Sequence, residues 1–526
     1  MSEPPSVIAA PAAAAPNKWL ITLTVMTGTI MSALDTSIVN VALPYMRGNL
    51  GASVEEITWV ATGYILSNVL VMPIIALLSS RFGRKRFYIF SVLIFTLSSM
   101  LCGLAWNLTS MVVFRVLQGV GGGALVPISQ AILRETFPPE EQGMAMGIYG
   151  LGVVLGPAFG PTLGGWLTDQ FSWPWIFYIN VPIGVINLLL VSRFIQDPPY
   201  LVRDRGRIDL AGLALMMTGL GALQLMLEKG EREDWFSSRF IITLAVVAAV
   251  GLFLFVWREL RVERPAVNLR LLKNLTFASG TLIGGGLGIG LYASLFLLPL
   301  FLQQQLGYPA FDSGLALMPR SAAMALAMPL SGRLYNRLGP RPLIGAGLLI
   351  NVYSFWELSR LTLDAGFMDI FFPQLWQGVG FGLIFVALST AALSCIDKPQ
   401  MTAASGLYNV ARQVFGSVGI AISATMLTRS ETTYHGILVE HLTPARDVVG
   451  HWLSTVAGGL RAAGLQTGEA TSAALRLLDA ETTRQAAMLA YNHVFLHLTA
   501  LFFLCLPLVF LLRRGSQVPS EPMVGD

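Results

Sequence analysis

Fourteen stretches of this chain are apolar for about as long as a helix needs to cross a lipid bilayer. They fall near 19–42, 56–78, 87–105, 110–132, 143–166, 175–195, 208–227, 239–257, 276–300, 312–331, 342–362, 371–393, 402–426 and 490–512. A hydrocarbon core about 30 Å thick requires roughly 20 such residues at helical rise. No water is available inside it, so each segment must satisfy its own backbone amides, which makes these runs helices. Composition agrees, with 54% of residues hydrophobic and 12% charged, where soluble domains carry about 25% charged residues. The chain reads as an all-α polytopic membrane protein.

An even number of spans puts both termini on one face, and lysine and arginine identify that face. Arg81, Arg84, Lys85, Arg86, Arg203, Arg205, Arg207, Arg258, Arg261, Arg264, Arg333, Arg337, Arg341, Arg513 and Arg514 all fall on one side. The short loops opposite hold only Arg47, Lys229, Arg232, Arg239 and Arg360. Basic loops stay in the cytoplasm, so both termini are expected there. Residues 1–18 are Pro/Ala-rich without a cleavable apolar core and read as a disordered cytoplasmic tail; 513–526 is a second tail. The segment 429–488 is long and lies on the outer face, and its stretch "TSAALRLLDAETTRQAAMLA" has the spacing of an amphipathic helix.

The chain repeats itself. "MPIIALLSSRFGRKR" (72–86) and "MPLSGRLYNRLGPR" (328–341) stand 256 residues apart, while "QGVGGG" (118–123) and "QGVGFG" (377–382) stand 259 apart. "GIY" at Gly147 and "GLY" at Gly406 share the 259 offset. Spans 1–6 therefore lie over spans 9–14. The expected organisation is a six-helix bundle (19–196), an inserted helix pair (208–258) and a second six-helix bundle (274–512). Duplicated halves of this kind place a substrate site at their interface near the bilayer midplane.

Asp35, Arg115, Arg320 and Arg412 lie deep inside spans, where a charge costs a few kcal/mol and faces a cavity or a partner. Asp35 is about 24 Å along span 1 from its cytoplasmic end, and Arg115 about 8 Å in from the outer end of span 4. The two share the outer half of the membrane. Arg320 in span 10 and Arg412 in span 13 also sit at depth. Glu357 and Arg360, one turn apart at the end of span 11, read as an outer-leaflet ion pair. A carboxylate beside an arginine can hold or release a proton as its solvation changes, because desolvation raises its pKa and the cation lowers it.

"GIYGLGVVLGPAFGPTLGG" contains G-x8-G-x3-GP-x2-GG in full, through Gly147, Gly156, Gly160, Pro161, Gly164 and Gly165. Glycines every four residues line one helical face and let a neighbouring backbone approach. "LDTSIVNVALP" in span 1, "RVLQGVGGG" in span 4 and "GLYNVARQVFGSVGIAI" in span 13 complete the pattern. With these motifs the chain resembles the major facilitator superfamily, and within it the fourteen-span drug:proton antiporters of the EmrB type. The loop signature G-x3-D-R-x-G-R-[RK] is matched by Arg81, Gly83, Arg84 and Lys85, but Ser80 replaces its acid. The second copy keeps Arg337 and Gly339, with Asn336 for the acid.

The resemblance implies a major facilitator fold with fourteen helices and proton-driven efflux of hydrophobic or amphipathic compounds by alternating access. Asp35 would couple protons together with Arg115, Arg320 and Arg412. The glycine helix would seal the halves against proton leak, and Arg81, Gly83, Arg84, Arg337 and Gly339 would serve gating. Asn40, Tyr64, Gln118, Tyr149, Tyr292, Trp376, Gln377 and Tyr408 are the candidate substrate contacts. Three arginines against one aspartate favour weak-acid or anionic substrates. The resemblance also implies a bacterial inner-membrane location, with a periplasmic adaptor (EmrA-like) and an outer-membrane channel (TolC-like) as partners, beside membrane lipids.

Other classes find little support. No G-x4-GK-[ST] is present for nucleotide-driven pumping. The five histidines lack zinc-site spacing, and Cys102, Cys395 and Cys505 show no pairing, so no metal is expected. No basic tract reads as a nucleic-acid surface. A receptor or a membrane-embedded enzyme on a transporter-like body is the alternative; neither would show substrate-dependent proton flux. The expected energy source is the proton gradient, with no cofactor.

Overall fold

The computed structural model describes residues 17–198, 209–263, 265–443 and 446–512. The tail residues 1–16 and 513–526, and Arg203, Arg205, Arg207, Arg264, Arg513 and Arg514, lie outside the described residues.

All fourteen apolar stretches are helical. The spans are Lys18–Leu50, Glu55–Phe82, Arg84–Gly103, Leu108–Thr136, Gln142–Gln170, Trp175–Phe194, Leu210–Lys229, Arg239–Arg261, Leu275–Gln304, Ala310–Leu338, Pro340–Leu358, Phe367–Ser394, Met401–Glu440 and Thr467–Cys505. Twelve are apolar enough to cross a membrane by length and composition alone. Spans 10 and 11 fall short by composition: span 10 carries Arg320, Arg333 and Arg337 along its 29 residues, and span 11 opens on Pro-Arg-Pro. Both are packed into the same helical body, span 10 against spans 5 and 12, span 11 against spans 12 and 14.

Local signals set the helix ends. Asn17, Asn107, Asp209 and Asn274 cap spans 1, 4, 7 and 9 by accepting hydrogen bonds from first-turn amides. Spans 2 and 3, and spans 10 and 11, each join at one glycine, Gly83 at φ 88° and Gly339 at φ 79°. A side chain there would be strained, which gives those two motif glycines a backbone reason.

The duplication is visible in how helices touch. A Cβ on Gly119 would sit 2.4 Å from the Tyr64 carbonyl oxygen, and one on Gly378 would sit 2.2 Å from that of Arg320. Gly121 meets the Ser91 carbonyl at 2.6 Å and Gly380 the Gly347 carbonyl at 2.9 Å. Spans 2, 3 and 4 thus pack as spans 10, 11 and 12 do, at the offsets read from sequence. Span 7 packs against span 2 and span 13 and so bridges the two halves, with span 8 packed on span 7. Gln224 donates to Ser417 at 2.9 Å and Thr62 to Glu228 at 3.2 Å.

The segment 429–488 differs from the expected loop. Span 13 runs on to Glu440, a separate helix covers Asp447–Ala462, and the stretch read as an amphipathic helix begins the long helix Thr467–Cys505. His435 and Asp479 join the two extensions at 3.1 Å. These extensions rise from the face opposite the basic loops, called here the far face. Lys18, Arg84, Glu141 and Arg341 mark the basic face.

Candidate functional site

Asp35 is fully buried and its carboxylate accepts three hydrogen bonds. Arg115 Nη1 donates to Oδ2 at 2.6 Å, while Gln118 Nε2 and Asn180 Nδ2 donate to Oδ1 at 2.8 and 3.0 Å. Arg115 also donates to Gln118 Oε1 at 2.7 Å and, through Nε, to the Val60 carbonyl at 3.0 Å. Spans 1, 2, 4 and 6 all contribute. The node thus surrounds the carboxylate with one guanidinium and two side-chain amides.

Tyr64 separates this node from a cavity. Its ring lies 4.3 Å from the Arg115 guanidinium, a cation–π contact, and the same residue lines the cavity. The cavity holds about 150 Å³ and lies between the halves. From the first half its walls include Ser32, Thr36, Ser37, Asn68 and Val154; from the second, Leu291, Tyr292, Met324, Phe385, Arg320, Arg412 and Gln413. Among the described residues no acidic one lines it.

The two cavity arginines are buried, and neither has an ion-pair partner among the described residues. Arg320 Nη1 donates to Ser294 Oγ at 3.0 Å, and Ser294 bonds Gln377 Oε1 at 3.0 Å. Arg412 Nη2 donates to Asn409 Oδ1 at 3.0 Å and its guanidinium lies 5.0 Å from the Phe385 ring. Arg412 Nη1 has no hydrogen-bond partner, nor do the buried hydroxyls of Tyr149 and Tyr408. Buried donors without partners are rare and costly, which marks this as a place for a ligand or water.

The cavity is closed toward the basic face. A Cβ on Gly143 would stand 2.4 Å from the Gly332 carbonyl oxygen, and one on Gly332 2.3 Å from that of Gly143, so spans 5 and 10 touch by backbone. Gly147 meets the Met328 carbonyl at 2.9 Å, and Gly406 that of Met72 at 2.6 Å. Asn409 donates to Gln130 at 2.6 Å across the halves. Nearer the surface Arg84 forks onto Glu135 at 2.6 and 3.1 Å and donates to Thr402 at 3.1 Å, while Lys18 pairs with Glu141. Toward the far face, Thr36, Asn40 and Pro161 are exposed.

Of the residues singled out from sequence, Asp35 and Arg115 meet, with Gln118 beside them in the node and out of the cavity lining. Tyr64, Tyr292, Arg320 and Arg412 line the cavity. Asn40 lies one turn beyond the cavity residue Thr36, on the same side of span 1. Tyr149 stacks on Phe385, which lines the cavity, and Tyr408 is buried. Gln377 belongs to the Ser294 cluster. Trp376 is 40% exposed on the outer surface of span 12 and does not line the cavity.

The glycine helix faces two neighbours. Gly156, Gly160 and Gly164 lie against span 1, where added Cβ atoms would meet the Ala33 carbonyl carbon at 2.3 Å, Ser37 Oγ at 1.9 Å and the Ile38 carbonyl oxygen at 2.8 Å. Ser37 donates to the Gly156 carbonyl at 2.8 Å. Gly147 faces the other half, whereas Gly165 is 3.8 Å from its nearest contact. Arg81 and Arg337 are exposed at the two basic-face turns.

Further expectations change. Arg115 is neutralised by Asp35, so the cavity balance is two arginines without a lining carboxylate, not three against one. Glu357 and Arg360 do not pair: Tyr353 Oη donates to Glu357 at 2.6 Å and Arg360 lies over the Trp356 ring. The acid absent from the Arg81–Lys85 turn is replaced by Glu135 from the end of span 4. Sequence reasoning missed Glu135 and Asn180; a polar amide inside the apolar run "YINVPIG" was the signal for the latter.

The sequence model described as Major Facilitator Superfamily matches residues 25–420. The Fatty acid resistance protein FarB of Neisseria gonorrhoeae is 36% identical over 94% of this chain and 96% of that protein. The Multidrug export protein EmrB of Haemophilus influenzae is 38% identical over 81% of this chain and 83% of its own. The protein of the same name from Escherichia coli K12 is 34% identical over 93% and 94%. Among solved structures, that of the human organic anion transporter MFSD10 (TETRAN) aligns with a TM-score of 0.61 at 13% identity, over 94% of this chain and all of that one.

Proposed function

The chain belongs to the major facilitator superfamily and is a multi-pass membrane transporter of the multidrug-export kind; on that premise we propose that it expels amphipathic anions in exchange for protons. The observation that carries this reading is the segregation of charge. The cavity between the halves presents two buried arginines on apolar walls, and the intramembrane carboxylate Asp35 sits behind Tyr64, in a node of its own. An apolar cavity of net positive charge favours a lipophilic tail that carries a negative head.

Coupling follows from Tyr64. The residue touches both the cavity and Arg115, so an occupant that shifts the ring alters the environment of the Asp35–Arg115 pair. Protonation of Asp35 frees Arg115, which links proton uptake to rearrangement of spans 1, 2, 4 and 6. The basic face is the cytoplasmic one in this reading, as loop charge requires. The described state is then closed to the cytoplasm. The FarB and EmrB relatives come from bacteria, which supports a bacterial inner membrane as the location. The helical extensions of spans 13 and 14, with Asp447–Ala462, offer the far-face surface on which a periplasmic adaptor joined to an outer-membrane channel would dock.

The test is proton flux in proteoliposomes that contain the purified protein. Dodecanoate should drive proton movement, and dodecyltrimethylammonium should not. Flux driven only by the cation would refute the anion reading; flux driven by neither would refute proton exchange.

A further inference from the structure

We infer that the substrate's negative head completes, in the second half, the ion pair that Asp35 completes in the first, docking on Arg320 beside Ser294. This deepens the anion-export reading above and rests on it. The two halves build the same node from different residues. Asp35, Arg115 and Gln118 stand 259 residues before Ser294, Gln374 and Gln377. Tyr64 stands 256 residues before Arg320, and both carbonyls receive the same close approach of a glycine, from Gly119 and Gly378.

The equivalent positions are also hydrogen-bonded to each other, with the direction reversed. Asp35 accepts from Gln118 Nε2, whereas Ser294, in Asp35's place, donates to Oε1 of Gln377, in Gln118's. Gln374, in Arg115's place, donates to Gln377 at 3.4 Å. The charges are redistributed. In the first half the arginine comes from span 4 and span 1 supplies its carboxylate. In the second half the arginine has moved to span 10, and span 9 offers a serine hydroxyl where the carboxylate would be. Arg320 therefore meets a neutral hydroxyl at the position where Arg115 meets a carboxylate.

That substitution makes Arg320 a receptor for an anion. A buried guanidinium without a counter-ion is unfavourable, and a carboxylate that reaches it recovers charge-assisted hydrogen bonds in a low-dielectric site. Arg320 is 4% exposed, yet it lines the cavity. Its guanidinium has five donors, and the hydrogen bond to Ser294 uses one. The apolar tail of the substrate would extend along Leu291, Leu295 and Met324.

Supplying the missing carboxylate tests this. In the variant Ser294→Asp the new side chain pairs with Arg320 as Asp35 pairs with Arg115. Calorimetric titration of the purified protein should show dodecanoate binding weakened at least ~10-fold, which is about 1.4 kcal/mol, while dodecanol binding changes less than threefold. Ser294→Ala should keep dodecanoate affinity within a few-fold, and Arg320→Gln should lose it even if Ser294→Asp fails to fold. Wild-type affinity in Ser294→Asp or Arg320→Gln, with the wild type exporting the anion, would overturn this inference alone and leave Arg412 as the head-group residue. Absence of dodecanoate binding by the wild type would overturn it together with the anion reading.

Discussion

Arg115 Nη1 lies 2.6 Å from Asp35 Oδ2 with both side chains essentially out of solvent, so each charge depends on the other. Removing one member of a buried pair costs about 3–5 kcal/mol because the partner is left uncompensated. Arg115→Gln should therefore destabilise the protein, leaving a carboxylate held by two amides. Asp35→Asn should also lower the melting temperature in detergent. Its ligand binding should persist, because the node stands outside the cavity, while substrate-driven proton flux disappears. The double variant Asp35→Asn/Arg115→Gln should recover part of the lost stability without recovering flux. Normal flux in Asp35→Asn would remove that residue from coupling.

The motif glycines of span 5 should separate into two classes. Gly156→Val drives its side chain into the Ala33 backbone, 2.3–2.4 Å away. Overpacking costs about 1–3 kcal/mol where neighbours can shift, and two helix backbones in contact shift little. Expression and thermal stability should fall sharply. Gly165→Ala meets nothing closer than 3.8 Å and should be within about 0.5 kcal/mol of wild type, in line with substitutions that create no new contact. Equal effects at both positions would mean that the motif serves something other than packing against span 1.

Much of this site was legible because charge is conspicuous in a membrane segment. Asp35, Arg115, Arg320 and Arg412 stand out against apolar runs, and their depth follows from helical rise. Which way a side chain faces was less legible. In lipid the outer surface of a bundle is as apolar as its core, so periodicity did not reveal that Trp376 faces outward. Asn180 escaped because a lone amide in a span carries no sign of its partner. Glu135 escaped because it lies outside the turn in sequence, and the fold brings it there from the end of another helix. The repeat offsets, by contrast, were fully present in the sequence; only the contacts of Gly119 and Gly378 show what Tyr64 and Arg320 share.

Asp209 gives a pH dependence outside the spans. It caps span 7 and accepts from Arg258 Nε at 2.8 and 2.9 Å. The hydrogen bond from Arg258 holds the carboxyl below its ordinary value of 3.8 despite its burial. A depressed folded-state pKa means that the stabilisation is fully present above the unfolded value and is lost as pH falls through the folded one. The melting-temperature difference between wild type and Asp209→Asn should be constant from pH 8 to about 5 and shrink below about 4. A difference that does not change down to pH 3 would place the effect of the substitution in the helix cap rather than the ion pair.

On the closed basic face Arg84 forks onto Glu135 in its own half and donates to Thr402 in the other. If the turn acts as a latch, its strength comes from holding Arg84 where it reaches Thr402. Glu135→Gln removes the charge that holds it, and exchange to Arg84→Glu/Glu135→Arg restores the pair while losing the native bond to Thr402. Removing the acid should shift the protein toward opening at the basic face, read as faster alkylation of a cysteine placed at Met328, behind the Gly143–Gly332 contact. Glu135→Gln should raise that rate several-fold. The exchanged pair should stay above the wild-type rate, because reforming the ion pair does not rebuild the link between halves. A return to the wild-type rate would mean that the bond from Arg84 to Thr402 adds nothing to closure.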